Sequence, residues 1–173
     1  GVTIHSFFQL PFTPFAPIPQ GRKNLIAKSK LTTARRKVLQ ELELLVIDEI
    51  SMVRADLLDA VDTMLRHFRY RANEPFGGVQ VVYIGDMYQL SPVVPDEERQ
   101  LLSQFYEGPY FFQSKVVRQQ PPVFIELDRV FRQTNEQFIS LLNEVRNNCL
   151  TEAGEQCLNS RYIADFRPSN EDG

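Results

Sequence analysis

Apolar residues fall along this chain in two alternating rhythms. Short unbroken apolar runs recur as "ELELLVID" ending at Asp48, "VQVVYIGD" ending at Asp86, and "VFIELDRVFRQ", which reaches Arg132. Runs of this length, rich in Val and Ile, predict buried strands of the kind used inside a parallel sheet. Between and after them the apolar residues space out by three and four. "ADLLDAVDTMLRHF" sets Leu57, Leu58, Val61, Leu65 and Phe68 at helical spacing, with Asp56 placed as an N-cap. "NEQFISLLNEVRNN" puts Phe138, Leu141, Leu142 and Val145 on one face of another helix, and "TEAGEQCLNSRYIADF" predicts a shorter helix and a strand start. A further helix is expected from a Thr32 or Thr33 cap through Leu39, and "NEPFGG" reads as a turn.

Strands alternating with helices predict a parallel sheet with helices packed on its faces. Ligands of such sheets lie beyond the carboxyl ends of the strands. Here those ends carry Asp48 and Glu49, Asp86 with Gln89, and Arg132 with Gln133. Three polar tips at one edge point to a shared site. One stretch breaks the alternation: "LPFTPFAPIPQG", residues 10–21, holds four prolines and predicts an extended loop. It is either a rigid surface loop or a PxxP ligand for an SH3-type partner.

Composition narrows the partners. With 173 residues, 43% of them hydrophobic, the chain can form one α/β domain with its own core. A net charge of −3 means that any nucleic-acid contact must be local. The local candidate is Arg22 to Lys37, with seven basic residues and no acid, which is either a solvated helical face or a phosphate contact. Cys149 and Cys157 lack CxxC spacing and read as reduced thiols. No apolar run suits a membrane span or signal peptide. An intracellular protein is expected, in a bacterial cytoplasm or a eukaryotic nucleus or mitochondrion.

The strand tips suggest phosphate chemistry. Magnesium prefers hard oxygen ligands and keeps several waters, so one carboxylate beside a phosphate can anchor it. Asp48 supplies that oxygen at a fixed place, and Glu49 can deprotonate a water for in-line attack. Gln89 can hydrogen-bond that water or a γ-phosphate oxygen, and Arg132 can donate a guanidinium fork to the same phosphate. The bland alternatives are that Asp48 and Glu49 cap the next helix, and that Arg132 pairs with Glu136.

"TIHSFF", "LLVIDEISMV", "YIGDMYQLSPVV" and "LDRVFRQ…FISLLNEVR" stand in the order that resembles the PIF-type DNA helicases. These are 5′-to-3′ translocases of helicase superfamily one, related to RecD-like enzymes. The resemblance covers nearly the whole chain. It implies a RecA-like P-loop NTPase fold, a three-layer sandwich around a parallel sheet, with ATP and Mg2+ as cofactors. It makes Asp48 and Glu49 the Walker B magnesium ligand and base, Gln89 the phosphate sensor and Arg132 the γ-phosphate contact. Thr3, His5 and Ser6 match the motif that holds the backbone of single-stranded DNA, with Phe7 or Phe8 behind it or against a base.

The departures shape the expectation. No Gly-rich loop ending in Gly-Lys-Ser/Thr occurs, and Ser91 stands where the family usually has proline. Residues 1–173 are therefore expected to be a partial first RecA-like domain, with the phosphate loop before Gly1 and a second RecA-like domain after Gly173. By family analogy, the strand leading to that loop would lie between "VQVVYIGD" and "VFIELDRV". The parent is expected to be an ATP-driven, monomeric DNA helicase acting at duplex junctions in repair, recombination or telomere maintenance. This chain alone is expected to be inactive; either those two strands close up, or their unpaired edges are left open to self-association. Two other readings stay open: a non-catalytic nucleic-acid-binding relic, and an ATPase of this fold acting on RNA or protein.

Overall fold

The computed structural model describes all residues except 128–130, 132 and 165–173. The chain divides into two units, Gly1–Val123 and Phe124–Gly173.

The first unit begins with α1 (Ile4–Phe8), which Gln9 ends in a left-handed conformation. After the proline-rich loop come α2 (Pro19–Lys28) and α3 (Thr33–Glu41). The four prolines do not all exclude helix, since Pro19 opens α2 at a position where its missing N–H has no intrahelical partner to lose. Thr32 caps α3 as expected, its hydroxyl accepting from Arg35 N at 3.3 Å. Strand β1 (Leu44–Ile47) leads through a 3-10 turn, Ile50–Met52, into α4 (Ala55–Phe68). A second 3-10 turn, Pro75–Gly78, returns the chain to β2 (Gln80–Tyr83). Two short helices, α5 (Asp96–Leu102) and α6 (Lys115–Gln119), complete the unit.

β1 and β2 pair in parallel, Leu44 opposite Gln80 through Ile47 opposite Tyr83. Alternate residues face opposite sides of such a pair. Leu45, Ile47, Val81 and Tyr83 pack on the core, while Leu44, Val46, Val82 and Ile84 are exposed. The expectation that both sheet faces are buried therefore holds for one face only, because the described helices of this unit pack on a single side. Val46 remains 51% exposed.

The core is built around α4. Leu58, Val61, Met64 and Leu65 are fully buried against Phe8, Leu25, Leu39, Ile47 and Val116. Each such side chain contributes about 1.5–3 kcal/mol on burial. That far outweighs an exposed ion pair such as Lys37–Glu41, worth roughly 0–1 kcal/mol.

Asp56 is not the cap of α4. Arg54 occupies the cap position with backbone only, and Asp56 instead accepts from the Phe15 amide and from the Arg54 guanidinium. The helix turns three aspartates inward at successive three-residue steps. Asp56, Asp59 and Asp62 are all buried, and each carries buried donors. Asp59 accepts from the Lys115 and Val116 amides and the Tyr106 hydroxyl, while Asp62 accepts from the Phe76 amide and Arg66. Each acid thus moors one loop to the helix.

The second unit is a helical hairpin. In α7 (Glu136–Arg146) Asn135 caps the start, and in α8 (Glu152–Asn159) Thr151 does so. Glu144 joins the two by accepting from both the amide and the hydroxyl of Thr151.

Two strand expectations are corrected. Residues 123–127 form no strand, and Val123, Phe124, Ile125 and Leu127 are exposed. A strand needs a neighbour to take its backbone groups, and no described residue pairs with this run. The expected strand start near the C-terminus is likewise absent over residues 161–164.

Candidate functional site

Two strand tips form the site. The ladder between β1 and β2 continues past their ends, with Ile84 N donating to Ile47 O and Ile50 N donating to Ile84 O, both at 2.9 Å. This stitches the Asp48–Glu49 corner to the Gly85–Asp86 corner. Gly85 makes the closeness workable, since a Cβ there would stand 3.0 Å from both the Ile50 amide nitrogen and its Cγ2.

Asp48 and Glu49 are both exposed at this edge. One Asp48 oxygen accepts from the Glu49 amide at 2.9 Å, and its other oxygen accepts no hydrogen bond among the described residues. Glu49 sits in the left-handed region, at φ 52° and ψ 43°, a conformation that costs a non-glycine residue about 1–2 kcal/mol. Neither carboxylate caps the following 3-10 turn, which removes the capping alternative. Behind them Ser51 is fully buried, its hydroxyl unpartnered among the described residues.

The Asp86 corner is a side-chain-supported turn. One Asp86 oxygen accepts from the Tyr88 amide at 3.0 Å, and the other takes a long 3.4 Å contact from the Gln89 amide group. Gln89 is exposed. The sequence places Asp86 at a strand tip, and the structure adds its long contact with Gln89. Asp followed three residues later by a side-chain donor was the available signal. Arg132 lies outside the described residues.

The donor set suits a magnesium ion held by one carboxylate, its own waters and a phosphate. Asp48 offers a free hard oxygen, and among the described residues no group of three or more His, Cys, Asp or Glu forms an all-protein cage. The site is open surface. A cavity of about 400 Å3 lies elsewhere, lined by Arg54, Val94, Leu102, Tyr106 and Pro109 among others, and contains none of the strand-tip residues.

The "TIHSFF" segment forms a separate, compact corner. The Thr3 hydroxyl caps α1 by accepting from Ser6 N at 3.2 Å, and Thr3 and Ser6 are exposed. The Ser6 carbonyl accepts from Arg35 at 2.6 Å, bringing a cation of α3 onto α1. His5 is half-buried, and its pKa is lowered, first by burial and then by the charge of Arg54, with Asp56 opposing. Phe8 needs correction. At 1% exposure it is a core residue, so it supports the corner from behind and its ring cannot meet a base.

Comparison with known proteins fits this geometry. A model of the PIF1-like helicase family matches residues 1–156. The chain belongs to the PIF1-like helicase family. It is 37% identical over 150 residues to the ATP-dependent DNA helicase PIF1 of Saccharomyces cerevisiae, covering 84% of this chain and 16% of that protein. To the human ATP-dependent DNA helicase PIF1 it is 38% identical over 158 residues, 90% of this chain and 22% of that one. The chain therefore spans roughly a fifth of these PIF1-like relatives. Among solved structures, Bacteroides Pif1 bound to single-stranded DNA superposes with a TM-score of 0.86 at 42% identity, over 98% of this chain and 38% of that one. The Bacteroides enzyme in complex with ADP-AlF3 and single-stranded DNA gives the same TM-score at 40% identity, over 99% of this chain and 38% of that one. The fold is accordingly α/β and RecA-like.

Proposed function

We propose that this chain supplies the metal and water-activating half of the ATP site, and part of the DNA grip, of an ATP-dependent 5′-to-3′ DNA helicase. The observation that supports this reading is the stitched pair of strand tips, the Asp48–Glu49 corner beside the Gly85–Asp86 corner, with Gln89 in contact with Asp86. Bound magnesium would neutralise charge on the terminal phosphates of ATP. The exposed Asp48 oxygen would hold that ion, and Glu49 would take the proton of the attacking water. Gln89, held near Asp86, would orient that water or a phosphate oxygen without repelling it. Arg132 is proposed as the γ-phosphate contact. Thr3 and Ser6 have hydroxyl protons to donate to backbone phosphates of single-stranded DNA, and Arg35 adds positive charge behind them. Residues 1–173 would then be part of a first RecA-like domain, working with a phosphate loop and a second such domain.

The test uses the full-length protein. Glu49→Gln is expected to keep nucleotide binding while turnover falls at least about 100-fold, the lower range for loss of a general base. Near-normal turnover would remove Glu49 from that role. Single-stranded DNA is expected to stimulate hydrolysis more than RNA of the same length; absence of stimulation by DNA would end the helicase reading.

A further inference from the structure

The proline-rich loop holds out one ring that the readings above leave unused. Phe12 is 86% exposed, yet its position is built. It lies between Leu10 and Phe15, which are both buried, and between Pro11 and Pro14, which restrict the backbone on either side. The amide of Phe15 donates to the buried Asp56 carboxylate at 3.0 Å, tying the loop to α4. The Phe12 ring lies over the His5 ring with centroids 4.8 Å apart and planes 14° from parallel.

We propose that Phe12, stacked on His5, is a platform for an unpaired base of single-stranded DNA. This rests on the proposed DNA grip and extends it from backbone to base. Phe12 is a large apolar ring held mostly in water, and its one ring contact among the described residues is with His5. Its outward face is the surface that a base can cover, and stacking is tolerant of sequence because every base has a π-face. Phosphate donors are close by: His5 shares α1 with Ser6 and follows the Thr3 cap, and Arg35 closes on the Ser6 carbonyl. A strand whose phosphates lie along Thr3 and Ser6 would bring a base onto the Phe12 ring. Burial and the charge of Arg54 lower the His5 pKa against the pull of Asp56, which favours an uncharged ring beneath Phe12.

The test measures binding of full-length wild type, Phe12→Ala and Phe12→Trp to oligo(dT) and to a strand of equal length made entirely of abasic sugars. Phe12→Ala is expected to lose roughly 5- to 100-fold on oligo(dT), the range that base–aromatic stacking supports. It should lose little on the abasic strand, and Phe12→Trp should bind oligo(dT) at least as well as wild type. Equal loss on both strands, or no loss on either, would overturn the platform while leaving the helicase reading intact. Failure of the wild type itself to bind oligo(dT) would instead remove the underlying DNA grip, and the platform with it. Unchanged thermal melting of Phe12→Ala would separate lost stacking from lost folding.

Discussion

Glu49 shows at the scale of one residue how a proposed catalytic group sits against local backbone preference. A left-handed backbone favours glycine, and the chain places a glutamate there directly after a strand. Glu49→Gly is expected to raise stability by about 1 kcal/mol while abolishing turnover in the full-length protein. Glu49→Ala should abolish turnover with no such gain, so thermal melting and hydrolysis measured together separate backbone strain from side-chain chemistry. Ser51 offers a second case. Its buried, unpartnered hydroxyl predicts that Ser51→Ala is neutral or stabilising by up to about 1 kcal/mol, read by chemical denaturation. Asp48 and Asp86 are legible as strand-tip acids because apolar runs end abruptly in them, with Glu49 and Gln89 following in the sequence. The left-handed turn at Glu49 is not, since nothing in a single non-glycine letter reports a positive φ.

At the scale of elements, legibility followed burial. β1 and β2 are readable as unbroken apolar runs, α3 from its Thr cap, and α4 and α7 from apolar residues at helical spacing. α1 and α6 have five residues each, too few for a period to show, and α2 was hidden behind prolines. The run at residues 123–127 failed in the other direction: its letters suit a strand, but pairing is a property of neighbours and not of letters. The inward aspartates of α4 were visible as letters yet misread, because one acid near a helix start resembles a cap. Their spacing of three on the face that also carries Leu58 and Leu65 was the better signal.

Asp59 then carries a pH prediction. Burial, aided by the charge of Asp62, raises its pKa, against the pull of hydrogen bonds from Val116, Lys115 and Tyr106. The folded state holds this proton to higher pH than the unfolded chain does. Its contribution to stability is therefore full below the unfolded carboxylate value and declines as pH rises through the folded value. Denaturation from about pH 4 upward should show that decline in wild type and not in Asp59→Asn. The substitution itself should cost roughly 2–4 kcal/mol, because one amide oxygen cannot serve three donors.

At the largest scale, the open sheet face carries a prediction about solution behaviour. Leu44, Val46, Val82 and Ile84 form an exposed apolar strip on a two-stranded sheet. We expect this 173-residue chain to self-associate with rising concentration in sedimentation experiments, and Val46→Thr with Val82→Thr to reduce it. α4 has a different kind of reach. Its first residue, Ala55, comes six positions after Glu49, and its second, Asp56, grips the loop that presents Phe12. The same end of a stiff rod thus follows the proposed fuel site and holds the proposed track contact. Tension raised where phosphate is cleaved would reach the polymer in part through that carboxylate. Asp56→Asn should leave an engine that still burns and a foot that still grips, with DNA no longer quickening hydrolysis: a slipped clutch, visible as lost stimulation at preserved affinity.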